Sequence, residues 1–379
     1  MREYLLVFLV AGSVTYLLTV LAREFAIRTK AVAQVRDRDV HVIPIPYFGG
    51  LAMLGGLVAA YFVARQLPFL SLSSPNVFRD AGVVLVAGAL ICMVGVLDDL
   101  YEIDALTKLG GQVLAAGFLI GFGVQYRFFP APGDGQFALD PSQAALLTVF
   151  TVVATVNAVN FVDGLDGLAA GVVGLGAIAF FLFCYQIANL NGQSLAVTGA
   201  LLCAALGGAC AGFLPHNFYP ARLFMGDSGS MLLGLVLSAS ALTLSGQFSV
   251  TDVTQGGGGS DASLVPTLLP IIVPLSILVV PFADLVLAVV RRTARGQMFY
   301  HPDKQHLHHR MLEIGHSHGR AVLILWLWAS LIGFGTVLIS LYSSGLTWVV
   351  VTVWLLVTMA LTFLVPRMKG GDVEVPAGR

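Results

Sequence analysis

The chain has 379 residues, of which 57% are hydrophobic and only 11% are charged. Soluble domains carry about 25% charged residues, so this composition excludes an ordinary soluble protein and is typical of polytopic membrane proteins. The formal net charge of −1 identifies no charged partner, and we expect no nucleic-acid binding.

Eleven apolar segments are long enough to cross a bilayer as helices, which takes about 20 apolar residues each. Helices are expected because a helix satisfies its own backbone hydrogen bonds inside lipid. The predicted spans are 4–22, 48–64, 81–97, 109–125, 143–160, 168–187, 195–214, 229–245, 266–290, 321–341 and 347–365. The topology changes if 48–64 or 229–245 is re-entrant. The sequence therefore predicts an all-α polytopic integral membrane protein with about 11 transmembrane helices.

Basic residues predict the orientation of these spans. If the N-terminus lies outside, 16 of the 20 Lys and Arg fall on the inner side, as do all eight His. The positive-inside rule favours this arrangement, which also places the C-terminus in the cytoplasm. We expect one polytopic domain over residues 1–365 and a disordered cytoplasmic tail over 366–379.

Two adjacent carboxylates, Asp98 and Asp99, follow the third predicted span. Each is unfavourable by a few tenths to about 1 kcal/mol at the negative end of a helix dipole, so a cation or cationic side chain must compensate. The alternative is a solvated span boundary, where the acids only end the helix.

A polar stripe follows in the fifth predicted span and the turn after it. Asp163 and Asp166 are three residues apart, and Asn157 and Asn160 repeat that spacing one turn earlier. On a helix, residues at this spacing share a face. Polar residues in an apolar span are unfavourable unless they bind something, so the stripe indicates a functional site. Helix capping accounts for one Asp but not for the whole stripe.

Asp227 precedes the eighth predicted span, in the motif MGDSGS. Asp is a preferred N-cap residue, which gives a purely structural explanation. The functional alternative uses the same geometry, because the free N–H groups at a helix start also bind phosphate.

The longest inner loop, 291–320, carries six His and six Lys or Arg. Three ligands fit its cluster of His306, His308, His309 and Arg310: zinc, anionic lipid headgroups, or the phosphates of a substrate. Zinc is the least favoured, because the sequence has no second cluster at tetrahedral-site spacing.

Taken together, carboxylates and amides are hard ligands that suit Mg²⁺ or Mn²⁺, and basic residues accompany them. A site of this kind at a membrane face indicates phosphoryl transfer between a water-soluble and a lipid substrate. No Walker A motif is present, which disfavours an ATP-driven pump.

Four motifs resemble those of the polyprenyl-phosphate N-acetylhexosamine-1-phosphate transferases. They are LDD (97–99), NAVNFVDGLDGLAAG (157–171), FMGDSGS (224–230) and PDKQHLHHR (302–310). HVIPIPYFGG (41–50) also resembles the family's first cytoplasmic loop, and the matches occur in family order.

The resemblance implies a polytopic helical enzyme of the bacterial cytoplasmic membrane, Mg²⁺-dependent, with its active site facing the cytoplasm. Family members transfer a sugar 1-phosphate from a UDP-sugar to a polyprenyl phosphate and release UMP. PDKQHLHHR is similar to the branch that uses UDP-GlcNAc and begins the synthesis of a cell-wall or surface polysaccharide. The sister branch, the phospho-MurNAc-pentapeptide transferases, typically has a lysine where this chain has Glu102. A homodimer is left open.

Residue roles also follow from the resemblance. Asp227 would be the principal Mg²⁺ ligand and Asn160 a second one, with Asp98 and Asp99 at the lipid-phosphate and metal end. Asp163 and Asp166 would line the nucleotide-sugar pocket, and Asn217 and Phe224 would hold the uracil. Lys108 would contact the substrate phosphates, because its segment is similar to a second lysine motif of the family. The cluster of His306, His308, His309 and Arg310 would contact them as well. Asn157 would contact substrate.

Two mechanisms and one other class of protein remain open from the sequence. Direct attack by the lipid phosphate is favoured over a phospho-enzyme on Asp99 or Asp163, because a phosphate monoester is largely dianionic at pH 7. A secondary transporter of anions would need ionisable residues near mid-bilayer. Asp284 is the one acid inside a predicted span, and it lies close to the inner end of that span, so the sequence disfavours a transporter.

Overall fold

The computed structural model describes residues 1–29, 31–32, 45–131, 135–191, 194–245, 293, 311, 315–342 and 344–364. Its helices, in chain order, are α1 (Arg2–Arg28), α2 (Gly49–Ala64), α3 (Pro68–Ser71), α4 (Pro75–Tyr101), α5 (Ala105–Gly121), α6 (Pro141–Val162), α7 (Leu168–Asn191), α8 (Ser194–Asn217), α9 (Gly226–Ser245), α10 (His318–Leu341) and α11 (Gly345–Phe363). The helical class predicted from the sequence is confirmed.

One feature departs from the all-α prediction. Strands β1 (Phe128–Ala131) and β2 (Gly135–Ala138) form an antiparallel hairpin between α5 and α6, in which Phe128 pairs with Ala138. Each strand has only four residues, so neither is detected as an apolar span; the turn residues PGDG between two short apolar runs are typical of a hairpin.

Eight of the described helices, α1, α4 and α6 to α11, are long and apolar enough to cross a membrane. The protein is therefore a multi-span membrane protein. The predicted spans 48–64 and 109–125 correspond to α2 and α5, which have 16 and 17 residues. At 1.5 Å per residue these helices are about 24–26 Å long, less than a typical hydrocarbon core. The predicted span 266–290, with Asp284, lies outside the described residues, so the count of 11 and the orientation stay predictions.

Helix α9 lies at the centre of the bundle. It packs against α2, α4, α6 and α8. In α9, 94% of an apolar 18-residue segment is buried, compared with 22% of the corresponding segment in α1 and 17% in α11. The hydroxyl groups of Ser238, Ser240 and Thr243 are buried and bond to carbonyl oxygens of the same helix, for example Ser240 to Val236 at 2.7 Å. A central helix can therefore carry serines without leaving polar groups unsatisfied.

Glycines allow α1 and α8 to approach closely. A Cβ built on Gly212 would lie 2.0 Å from the carbonyl oxygen of Gly12, and one on Gly208 would lie 2.2 Å from that of Phe8. Small residues are the usual means by which membrane helices pack, because lipid supplies no hydrophobic force between them.

The third predicted span begins earlier than expected. Helix α4 starts at Pro75, so Asp80 lies within it, only 2% exposed, and accepts a hydrogen bond from Arg79 at 2.9 Å. Asp80 is on the first two turns of α4, and Asp98 and Asp99 are on the last turn, at the opposite end of the helix.

Candidate active site

Four helix ends meet at one end of the bundle. The last turn of α4 carries Asp98, the first turn of α5 carries Lys108, the last turn of α6 carries Asn160, and the first turn of α9 carries Asp227. Because α9 packs against both α4 and α6, and α5 packs against both as well, these residues come together. These four residues therefore lie together at one end of the bundle.

Lys108 bridges two carboxylates. Its ammonium group lies 2.6 Å from Oδ2 of Asp98 and also forms an ion pair with Oδ2 of Asp227. The side chains of Lys108, Asp98 and Asp227 are 22%, 12% and 26% exposed, so all three charges are largely removed from water. The compensating cation predicted for the end of α4 is thus Lys108, which lies on α5, after the short loop that follows α4.

Asp227 is held from a second side by an amide. Nδ2 of Asn160 donates to Oδ1 of Asp227 at 2.7 Å and to Oγ of Ser230 at 2.8 Å. Both carboxylate oxygens of Asp227 are therefore engaged, one by an amide and one by an ammonium group. The side chain is fixed in one orientation, as a binding site requires.

Asp99 makes different contacts from its neighbour. Its carboxylate accepts hydrogen bonds from the backbone N–H of Asp227 at 2.8 Å and of Ser228 at 3.3 Å. Asp227 is the second residue of α9, so its side chain is not the cap of that helix. Of the two alternatives for Asp227, the N-cap explanation does not hold, and two N–H groups at the start of α9 that could bind phosphate bind Asp99 instead.

Gly226 allows this capping interaction. Its φ is +69°, and a Cβ built there would lie 2.5 Å from Oδ2 of Asp99. Both the left-handed backbone and the lack of space favour glycine at this position.

The first loop motif also packs against the start of α9. The N–H groups of Gly49 and Gly50 donate to the carbonyl oxygens of Phe224 and Met225, both at 3.1 Å. A Cβ on Gly50 would lie 2.3 Å from the backbone nitrogen of Gly229. The Gly–Gly pair is therefore required for close packing beside the site.

The stripe of Asn and Asp does not lie on a single helical face. Helix α6 ends at Val162, Asp163 caps it, and Asp166 lies in the turn that follows. Our prediction that Asp163 and Asp166 share a helical face was therefore wrong, because the glycines of this segment form a turn. Asp166 is only 3% exposed and accepts a hydrogen bond from the N–H of Ala221 at 2.9 Å.

Asp163 is electrostatically tied to the site. Desolvation raises the pKa of its carboxyl group well above the usual range, and the negative charges of Asp227, Asp99 and Asp166 act in the same direction. Three other carboxylates thus act on Asp163, and a bound cation would relieve their repulsion.

Asn217 and Phe224 lie on either side of the loop that leads into α9. Asn217 is 2% exposed, and its amide accepts from the N–H of Gly167 and donates to the carbonyl of Leu223, both at 3.0 Å. Phe224 is half-buried, with its ring centroid 6.3 Å from that of Tyr47. In this structure Asn217 fixes the turn after α6 to the loop, and Phe224 keeps part of its ring accessible.

Two polar residues of the site were not predicted. Gln112 is 2% exposed and accepts a hydrogen bond from Asn157 at 2.7 Å, and Ser230 bonds to Asn160. Both occur in segments that had been singled out, one four residues after Lys108 and the other at the end of FMGDSGS. A polar residue one helical turn from a functional residue was the signal that could have found Gln112.

The remaining predicted residues, His306, His308, His309 and Arg310, lie outside the described residues. Their grouping with the other site residues stays a prediction.

The donor set fits a small divalent cation. Within the part of the chain that the structure describes, no three His, Cys, Asp or Glu side chains form a metal-binding group. However, Asp98 and Asp227 already converge on one positive charge, with the Asn160 amide beside them. Mg²⁺ typically uses one or two carboxylates and keeps waters or substrate phosphates as its other ligands, so a site with few protein ligands suits it.

The fold and site define a class: a helical multi-span membrane protein with a carboxylate-rich polar site at one end of its helices. Comparisons with known proteins identify the family. A model described as glycosyl transferase family 4 matches residues 81–245. The decaprenyl-phosphate N-acetylglucosaminephosphotransferase of Mycobacterium tuberculosis is 43% identical over 376 residues, covering 98% of this chain and 91% of that protein. The chain belongs to glycosyl transferase family 4, and the resemblance drawn from its motifs is confirmed.

Two further relatives represent different branches. A Bacillus subtilis protein named "Probable undecaprenyl-phosphate N-acetylglucosaminyl 1-phosphate transferase" is 31% identical over 330 residues, covering 86% of this chain and 82% of that protein. The phospho-N-acetylmuramoyl-pentapeptide-transferase of Desulforudis audaxviator is 30% identical over 347 residues, covering 84% and 93%. The 43% identity to the mycobacterial protein exceeds both values.

Proposed function

We propose that the protein transfers N-acetylglucosamine 1-phosphate from UDP-GlcNAc to a polyprenyl phosphate, releases UMP and so begins a cell-wall or surface polysaccharide. The observation that carries this proposal is the convergence of Asp98, Lys108, Asn160 and Asp227 at one end of membrane-spanning helices. A site at the end of membrane-spanning helices would be within reach of a soluble donor and of a lipid acceptor. The names of the mycobacterial and Bacillus relatives support the same reaction.

The chemistry requires that two anionic reactants approach each other. An oxygen of the lipid phosphate attacks the phosphorus bonded to the sugar, a new P–O bond forms, and the P–O bond to UMP breaks. The acceptor is largely dianionic at pH 7, so no strong base is needed. Lys108 supplies a positive charge for the phosphates, and Asp98 orients the acceptor or takes a residual proton.

The direct mechanism agrees with the position of Asp99. A nucleophilic carboxylate has to reach the phosphorus, whereas the carboxylate of Asp99 accepts two backbone hydrogen bonds at the start of α9. We therefore propose a structural role for Asp99 and favour direct displacement over a phospho-enzyme on this residue.

A divalent ion, Mg²⁺ or Mn²⁺, completes the proposed site. Asp227 and Asp98 would hold it, together with Asn160, if the amide turned its oxygen toward the ion. When bound, the ion would neutralise part of the negative charge of the diphosphate and the acceptor. The negative charges of Asp227, Asp99 and Asp166 raise the pKa of the Asp163 carboxyl group after desolvation does, and a cation among these carboxylates would oppose that effect.

The donor is proposed to lie on the side of Asp163, Asp166 and the loop before α9. The half-buried ring of Phe224 would stack on uracil, and Asn217 would contact the base or hold the loop that does so. His308, His309 and Arg310 would bind the diphosphate, with His306 beside them and Asn157 contributing from α6.

We further propose that this site faces the cytoplasm and that the membrane domain is a single unit over residues 1–365. The orientation rests on the placement of 16 of the 20 basic residues. A cytoplasmic site is also where a nucleotide sugar is available. Whether two copies associate is a separate question that size measurement in detergent would answer.

The test is UMP release by the purified protein in detergent, with UDP-GlcNAc and a polyprenyl phosphate, with and without Mg²⁺. We expect release that depends on both the lipid and the metal. Release with UDP-MurNAc-pentapeptide instead would assign the protein to the branch of the Desulforudis relative. No release with either donor, from protein shown to be folded, would overturn the proposal and favour the transporter.

A further inference from the structure

The ammonium group of Lys108 lies where the proposed ion would have to bind. It pairs with Oδ2 of Asp98 at 2.6 Å and with Oδ2 of Asp227. Two hydrogen bonds of ordinary length to one nitrogen place the two oxygens at most about 6 Å apart. A Mg²⁺ ion that binds both has to approach each to about 2.1 Å, which puts it in the space between them. An ammonium group and a metal ion cannot occupy that space together.

Charge leads to the same conclusion. The bridged group of Asp98, Asp227 and Lys108 has a net charge of −1, and its members are largely buried. Without Lys108 and without metal, two carboxylates would face each other in a poorly solvated place, which is unfavourable. Lys108 therefore stabilises the metal-free site, and any ion that enters has to displace its ammonium group.

Local structure allows this displacement. Lys108 is in the first turn of α5, whose start is capped by the Asp104 carboxylate through the N–H groups of Leu106 and Thr107, both at 2.9 Å. The backbone is thus anchored independently of the side chain. A lysine ammonium group on a flexible four-carbon stem can move by several ångströms while that backbone stays in place.

We propose that Lys108 is an exchangeable counterion: its ammonium group neutralises Asp98 and Asp227 in the metal-free protein, and a divalent ion displaces it from them. This inference rests on the metal site in the proposed function. After exchange, Lys108 is free to pair with substrate phosphates beside the ion. A single lysine thereby prevents repulsion before the ion binds and provides a phosphate contact afterwards.

The first experiment measures Mn²⁺ binding by electron paramagnetic resonance, without nucleotide or lipid. We expect Lys108→Gln to bind Mn²⁺ at least about tenfold more tightly than the unaltered protein, because a competing charge at contact distance is gone. Asp227→Asn should abolish the binding. The charge-matched control is Arg28→Gln, because Arg28 is 75% exposed and pairs with Glu24 on its own helix; its Mn²⁺ affinity should not change.

A second experiment separates displacement from a general effect of charge and needs no variant. Lysine acylation is followed by mass spectrometry in the unaltered protein, with Lys369 as internal reference. Saturating Mn²⁺ should raise the acylation rate of Lys108 relative to Lys369, because the displaced ammonium group loses its two carboxylate partners. This measurement also decides the question if Lys108→Gln does not fold.

The outcomes distinguish the two proposals. Equal or weaker Mn²⁺ binding by Lys108→Gln, or acylation of Lys108 that is unchanged or slower with Mn²⁺, would overturn the exchange while leaving the metal site intact. Absence of Mn²⁺ binding in every folded variant, Lys108→Gln included, would overturn the metal site itself.

Discussion

Asp99 and Asp227 are joined through the backbone: the Asp99 carboxylate accepts the N–H of Asp227 at 2.8 Å, while the Asp227 side chain faces Lys108 and Asn160. Asp98, one residue earlier, faces Lys108 as well. Successive residues of a helix point about 100° apart, so two adjacent carboxylates on α4 reach different partners. Asp99 fixes the start of α9, which carries Asp227, and Asp98 is part of the charged site.

Replacement of Asp99 should lower stability more than replacement of Asp98. Asp99→Ala removes the acceptor for two N–H groups at the start of α9, which we expect to cost about 1–2 kcal/mol in the free energy of unfolding. Asp98→Asn leaves Lys108 paired with Asp227 and should lower stability less while lowering the rate of UMP release. Thermal unfolding in detergent, without substrates, measures the difference. Equal losses of stability would contradict the division of roles.

Replacement of Asp227 should abolish transfer. Asp227→Asn keeps the size of the side chain but removes the charge that the proposed ion requires, and we expect UMP release to fall by at least about a hundredfold. Added Mg²⁺ should not restore it. The control is Asp140→Asn at the opposite end of α6, where Asn caps a helix as well as Asp does. Activity of Asp227→Asn near that of the control would exclude Asp227 as a metal ligand.

Asn217 is expected to act mainly through the fold. Asn217→Ala leaves the buried N–H of Gly167 and the carbonyl of Leu223 without their partner, which should destabilise the protein by about 1–3 kcal/mol. Thermal unfolding without nucleotide tests this directly. If stability is unchanged and KM for UDP-GlcNAc rises instead, the amide contacts the nucleotide, as the family resemblance implies.

The contact between α1 and α8 should tolerate no added methyl group. Gly212→Ala would place a Cβ 2.0 Å from the carbonyl oxygen of Gly12, and we expect the resulting overpacking to destabilise the protein by about 1–3 kcal/mol. Gly117→Ala is the matched control, since nothing lies within 4 Å of a Cβ on that helical glycine. The unfolding temperature of the control should stay the same or rise. A similar loss in both variants would contradict the helix contact as its cause, because replacing glycine with alanine by itself favours a helix.

The sequence by itself determined the class of the protein and the grouping of its motifs. An apolar run long enough to cross a bilayer is a local property, so ten of the eleven predicted spans correspond to described helices, two of them shorter than a typical span. Spans that cross in alternation also bring the ends of α4 and α6 and the starts of α5 and α9 to the same face. Asp98, Lys108, Asn160 and Asp227 could therefore be expected together before any distance was known.

Only the tertiary structure decided which groups bond to which. Whether Asp98 or Asp99 meets Lys108 depends on how α4 is rotated relative to α5, and the sequence does not specify that rotation. The spacing of Asp163 and Asp166 also suited a helix, but both residues lie in the turn at 163–167. In that turn Asp166 accepts a hydrogen bond from the backbone N–H of Ala221. The length of an apolar segment depends on one helix alone and can be read from the sequence. A hydrogen bond between two helices requires the donor and acceptor atoms to be positioned within a few tenths of an ångström. Packing against neighbouring helices sets those positions.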